Sequence, residues 1–142
     1  MTPSGKVGFL VFLGLIVAAA AVVFVRSNAL AGDRAQVADG EGIAWQDDVA
    51  DEGLQLVYFT ADWCPPCREM KRAVWPDAEV VAAAEGYRPV KIDIDADPAT
   101  AQQFGVGSIP TMMILRDGER VASQVGGVDA GTMVAWLERH KS

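Results

Sequence analysis

The chain has 142 residues, two cysteines, one histidine and a formal net charge of −7. So acidic a chain is an unlikely partner for nucleic acid, which basic surfaces bind. The last hundred or so residues are enough for one domain around one hydrophobic core. We expect that domain to span residues 43–142.

An uncharged apolar run of nineteen residues, from Val7 to Val25, comes first. As a helix it would span roughly 28 Å, close to the hydrocarbon thickness of a bilayer. We therefore predict a transmembrane anchor in residues 1–26. A cleaved signal peptide is the alternative, because Ala29-Leu30-Ala31 is typical of a cleavage site. However, the run exceeds the ~7–15 residues of a signal core, and Arg26 lies between it and that site.

Both alternatives predict a domain outside the cytoplasm, either on the periplasmic side of a single-pass anchor or cleaved and secreted there. The charges flanking the run nearly balance, so a domain facing the cytoplasm is the second possibility. Small, polar and acidic residues at 27–42 predict a flexible linker.

Alternating apolar segments then predict an α/β domain. Pro76 should interrupt the long second helix, Asp117-Gly118 is a strong hairpin signal, and Asp129 is the expected N-cap of the last helix. The predicted elements are a short strand or turn at 43–45, a helix at 47–52, a strand at 54–60, a helix at 66–84, a strand at 88–94, a helix at 98–104, strands at 111–116 and 120–125, and a helix at 130–139.

Both cysteines, Cys64 and Cys67, flank two prolines where the first long strand turns into a helix. Two thiols at this spacing can close into a disulfide and reopen, and a helix N-terminus lowers the pKa of a nearby thiol. We expect the helix to begin at Pro66, because a proline disfavours helical geometry in the residue before it. Cys64 would then be exposed as the attacking thiol, and Cys67 would be the more shielded resolving thiol.

Other roles for the cysteine pair stay open. Half of a zinc site is possible, but structural zinc needs four ligands and His140 is the other good candidate, so two chains would have to share the ion. A purely structural disulfide is weak, because so short a loop constrains little of the unfolded chain. A dithiol that delivers copper or zinc and a noncovalent binding module are further alternatives. Disulfide exchange by the two sulfurs needs no bound cofactor or metal.

Several ordered segments resemble the thioredoxin superfamily, from about Ile43 to the C-terminus. The resemblance implies a thioredoxin-like fold, a central mixed β-sheet flanked by helices, here preceded by the transmembrane helix. It also implies thiol:disulfide oxidoreductase activity. The segments that carry it are the active-site stretch 59–67, the central strand 90–95, the stretch 104–111 with the family's cis-proline, the hairpin 112–125 and the helix 129–139.

The resemblance also implies roles for single residues. Pro110 would follow a cis bond after Ile109 and would expose backbone to a substrate strand beside the cysteines. Trp63 would shield the thiols and help to form the substrate surface. Lys91 matches the family's lysine near the site, but the residue taken by itself is better interpreted as a strand-end lysine with its charged group in water. One residue departs from the pattern: Tyr58 stands where thioredoxins proper have a buried aspartate associated with proton transfer to the resolving thiol.

The helix interrupted at Pro76 is similar to thioredoxin-like domains of the DsbD C-terminal kind. Together with the apolar run, this predicts a monomeric, membrane-tethered reductant outside the cytoplasm. Its partners would be cysteine-containing client proteins and an upstream thiol donor. The residues alone do not set the direction of electron flow, because oxidants and reductants share the motif.

Overall fold

The computed structural model describes residues 42–142, which form a four-stranded sheet with helices on both faces. Its elements, in chain order, are β1 (Leu54–Thr60), α1 (Pro65–Ala73), α2 (Ala78–Ala84), β2 (Arg88–Asp93), α3 (Pro98–Gln103), β3 (Thr111–Arg116), β4 (Glu119–Val125) and α4 (Ala130–His140).

The sheet has the strand order β2-β1-β3-β4, with β1 parallel to β2 and antiparallel to β3. The predicted mixed sheet is therefore confirmed. Every residue of β1 from Gln55 to Phe59 is buried, because successive side chains alternate between the two covered faces of the sheet. Leu56 and Tyr58 join a core under α1, α2 and α4, whereas Val57 and Phe59 join a second core beside α3.

The helix after the active-site turn is interrupted, as Pro76 predicts. α1 ends at Ala73 and α2 begins at Ala78, with Asp77 as its N-cap. The carboxylate of Asp77 accepts the amide of Glu79 at 2.9 Å, so α2 starts with its own cap. Asp129 likewise caps α4, as expected.

The hairpin between β3 and β4 turns at Asp117 and Gly118, which have φ values of 51° and 78°. Two positive φ values in a two-residue loop match the right-handed twist of the flanking strands. The turn prediction is confirmed, and β4 begins one residue earlier than predicted, at Glu119.

The predicted helix at 47–52 is wrong, because this segment contains bends and no helix. Its backbone is bonded elsewhere: the Gln55 side chain pairs with both the N–H and the C=O of Ala50, and Arg88 donates to the Asp48 carbonyl. Such side-chain bonds compete with helical ones. The expected strand or turn at 43–45 becomes one parallel bridge a residue later, between Gln46 and Val90.

The predicted anchor at 1–26 and the linker up to residue 41 lie outside the described residues. Between residues 42 and 142, no helix is both long and apolar enough to cross a bilayer.

The cap of α3 provides a test of how stability depends on pH. The Asp97 carboxylate accepts hydrogen bonds from the side chain and the backbone amide of Thr100, and these bonds lower its pKa below the ordinary 3.8. A lowered folded pKa means that the stabilisation is complete above the unfolded pKa and is lost as the pH falls through the folded value.

We expect Asp97→Ala to lower the Tm by a few degrees at neutral pH. The difference should shrink below the pKa of Asp97, and thermal unfolding of both proteins across acidic pH measures it. An equal difference at every pH would contradict this explanation.

Candidate active site

The two cysteines are joined in a disulfide at the N-terminus of α1, with their Cα atoms 5.2 Å apart. Cys64 is the N-cap with extended backbone, and the Cys67 amide donates to its Sγ at 3.3 Å. The helix begins at Pro65, one residue before the predicted start. The fixed φ of Pro65 suits a first turn, and the missing N–H groups of both prolines cost no intrahelical hydrogen bond there.

The prolines determine which amides can reach Cys64. An N-cap side chain accepts from the second or third helical amide. Here the second helical residue is Pro66, which has no N–H, and the third is Cys67. One amide therefore bonds to the Cys64 sulfur where a helix without Pro66 would offer two.

The expected contrast in exposure between the thiols is wrong for the oxidised protein. Cys64 and Cys67 are each 2% exposed, and they form a small apolar cluster with Ala61. Ile94 and Ile109 pack against this cluster from segments far along the chain. These contacts cover Cys64, so its position outside the helix does not expose it.

Pro110 follows a cis peptide bond after Ile109, so the predicted isomer is confirmed. Pro110 is buried and Ile109 is partly buried against the cysteine cluster. The Pro110 carbonyl accepts the Gly126 amide at 2.8 Å. The loop before β3 and the end of β4 therefore meet beside the disulfide.

Trp63 lies beside Cys64 with 60% of its surface exposed. Its indole N–H donates to the Asp95 carboxylate at 2.7 Å. Nothing in the local sequence indicates this contact, whose two partners are 32 residues apart. The indole is thus held in place while its face stays open to solvent.

Tyr58 and Lys91 lie behind Cys67. They are partners in the parallel register of β1 and β2, and both line a cavity of about 300 Å³ that also reaches Cys67. The Tyr58 hydroxyl is buried and donates to the Cys67 carbonyl at 3.3 Å. Lys91 and Cys67 therefore line the same cavity.

His140, the alternative zinc ligand, is at the C-terminal end of α4. Its Nδ1 lies 2.8 Å from the Trp136 carbonyl, and its ring packs on the Trp136 indole. Within residues 42–142, no three histidine, cysteine or acidic side chains group closely enough to hold a metal ion.

A mixed sheet, a disulfide at a helix N-terminus and a cis-proline beside it define a thiol:disulfide oxidoreductase with a thioredoxin-like fold. Comparison with known proteins agrees, since the thioredoxin family model matches residues 36–139. The chain belongs to the thioredoxin family.

Similar proteins extend this assignment. The chain is 42% identical over 103 residues to a thioredoxin from Chlamydia muridarum, covering 70% of this chain and 97% of that protein. It is 40% identical over 107 residues to a thioredoxin from Synechocystis, covering 74% and 94%. Among solved structures, it is similar to thioredoxin from Nicotiana alata, with a TM-score of 0.56, 32% identity, and coverage of 64% and 76%.

Proposed function

We propose that this chain is a membrane-tethered thioredoxin that reduces disulfides of client proteins outside the cytoplasm. The general activity, thiol:disulfide exchange, is supported by the disulfide between the Cys64 N-cap and Cys67 in the first turn of α1. The tether is supported by the nineteen apolar residues Val7 to Val25, which precede the segment matched by the family model. A cleaved signal peptide would place the same domain in the same compartment.

The proposed direction of electron flow rests on the hydrogen bonding of the Cys64 sulfur in the structure. A strong oxidant owes its high potential to a stabilised reduced form. In this motif the Cys64 sulfur accepts one amide hydrogen bond, from Cys67, because Pro66 has no N–H. The thiolate is therefore stabilised less than at a helix start with two free amides, which favours a reductant.

The proposed reaction runs in two steps. The Cys64 thiolate attacks a client disulfide, forming a mixed disulfide and releasing one client thiolate, which takes up a proton. Cys67 then loses its proton and attacks the Cys64 sulfur. This closes the internal disulfide and releases the second client thiolate. Two electrons thus pass to the client, and an upstream thiol donor must return them.

The residues around the disulfide have supporting roles in this proposal. The exposed face of Trp63 and the backbone beside Ile109 and cis-Pro110 would form the surface on which a monomeric domain holds a client strand. Lys91, with Tyr58, would set the electrostatic surroundings of Cys67 from the cavity behind it.

The reduction potential of the full chain tests the direction. Equilibration in glutathione buffers of graded composition, followed by trapping of free thiols, gives the oxidised fraction. We expect a value near the −270 mV typical of thioredoxin, and a value near the −120 mV of DsbA would overturn the reductant proposal.

The compartment is tested separately in intact cells. A membrane-impermeant thiol reagent should label the reduced cysteines without permeabilisation, and the protein should stay in the membrane fraction. Deleting residues 7–25 should abolish both results. Labelling that appears only after permeabilisation would indicate the cytoplasmic orientation.

A further inference from the structure

The cavity of about 300 Å³ behind Cys67 is lined by residues of β1, β2 and α1, and we call it the Cys67 cavity. Cys67 itself is 2% exposed, so the cavity is where this residue meets polar side chains. At roughly 30 Å³ of liquid for each water molecule, the cavity has room for several. A thiol must lose its proton before its sulfur can attack a disulfide. The groups that line the cavity therefore decide where the proton of Cys67 can go.

Among the residues that the structure describes, two carboxylates line the Cys67 cavity, Asp62 and Asp93. Asp93 is the last residue of β2 and is half-buried, whereas Asp62 is exposed in the turn before α1. The Oδ1 atom of Asp93 accepts the amides of Asp95 at 2.9 Å and Ala96 at 3.4 Å. The turn after β2 thus holds the Asp93 carboxylate at the cavity, while that of Asp62 is open to solvent.

The other charged groups of the cavity are basic. Arg68 and Lys71 line it from α1, and Lys91 lines it from β2. Guanidinium and ammonium groups have donors and no acceptor, so they cannot take a proton, but they stabilise a thiolate or carboxylate nearby. The Tyr58 hydroxyl, on β1, donates to the Cys67 carbonyl at 3.3 Å. The carboxylates are therefore the bases that this cavity offers.

We propose that Asp93 accepts the proton of Cys67, through water in the cavity, when the mixed disulfide is resolved. This inference rests on the reaction proposed above and names the base of its second step. The proton leaves the Cys67 thiol, and the sulfur electron pair attacks the Cys64 sulfur. The bond between Cys64 and the client sulfur then breaks. The client leaves as a thiolate and takes up a proton, and Asp93 returns to its ionised form by releasing one.

A symmetrical dipyridyl disulfide, supplied in less than one equivalent to the full reduced chain, separates the two steps. The first thiopyridone released reports attack by Cys64, and the second reports attack by Cys67 on the mixed disulfide. Asp93→Asn keeps an oxygen for the two turn amides and removes the base. We expect the second release to slow about a hundredfold at neutral pH, the lower end of what a positioned base contributes, with the first release unchanged.

The pH dependence distinguishes a proton acceptor from a residue that only supports the turn. With a base in the cavity, the second release should change little with pH while that base is ionised and the thiol is not. Without it hydroxide must take the proton, so the rate in Asp93→Asn should rise about tenfold per pH unit. The two proteins should therefore approach the same rate in alkali.

Asp62→Asn is the matched control, because this carboxylate lines the same cavity from an exposed turn. It should leave the second release unchanged. An unchanged second release in Asp93→Asn, a larger effect of Asp62→Asn, or a slowing by Asp93→Asn that is the same at every pH would each overturn the assignment while exchange itself stands. If the unchanged chain releases neither equivalent, the exchange reaction fails and the proposed function fails with it.

Discussion

Cys64→Ser is expected to lower disulfide reduction about a thousandfold or more, because serine provides no thiolate to attack the client. Cys67→Ser should instead stop the reaction halfway, with the client bound covalently to Cys64. The geometry gives this order: the Cys64 sulfur is the cap that receives the Cys67 amide, whereas Cys67 is within the helix beside Tyr58. Non-reducing gels of the full chain with a disulfide client measure both results. Dithiothreitol should reduce the mixed disulfide and so release the client from the trapped complex.

The reverse pattern would overturn the assigned roles. Covalent complexes on the Cys64→Ser chain, with turnover retained by Cys67→Ser, would make Cys67 the attacking thiol. The double serine variant addresses the noncovalent alternative. A binding module would keep its role in cells without either sulfur, whereas an exchanger would lose it.

Pro66→Ala is expected to restore a second amide at the helix start and to make the protein a weaker reductant. A hydrogen bond to a charged group contributes about 1.5–3 kcal/mol. If it acts on the Cys64 thiolate, the pKa of that thiol falls and the reduction potential rises by about 30–60 mV. Thiol absorbance as a function of pH and equilibration with glutathione measure the two effects.

Pro65→Ala is the matched control for this change. It also replaces a proline of the motif, but at the first helical position, whose amide is not one that an N-cap side chain normally accepts. Its potential should stay near that of the unchanged chain. Equal shifts in both variants would show that loss of proline stiffness, rather than a gained donor, controls the thiolate.

Local patterns predicted most of the secondary structure. β1 and β3 have the predicted bounds, and Asp129 is the N-cap of α4, as predicted. The helix predicted at 47–52 does not form, because backbone donors and acceptors of this segment bond to the side chains of Gln55 and Arg88. Arg88 lies on another strand, so its competition becomes visible only when the chain has folded.

The site shows the same division between local and distant information. Spacing alone predicted that Cys64 and Cys67 pair at the start of a helix. Their burial depends on Ile94 and Ile109, which arrive from separate loops. The Trp63–Asp95 hydrogen bond likewise joins segments distant in the chain, and no periodicity in either segment indicates its partner.

The break between α1 and α2 limits how far a local opening of the reactive turn can spread. The amides of Val74 and Trp75 both donate to the Met70 carbonyl, and Asp77 then starts a fresh helix. Helical cooperativity depends on an unbroken series of hydrogen bonds. Fraying that begins at Cys64 can therefore extend through the nine residues of α1 and ends at this break. Amide hydrogen exchange in α1 can therefore respond to the redox state while α2, anchored against α4, keeps its protection.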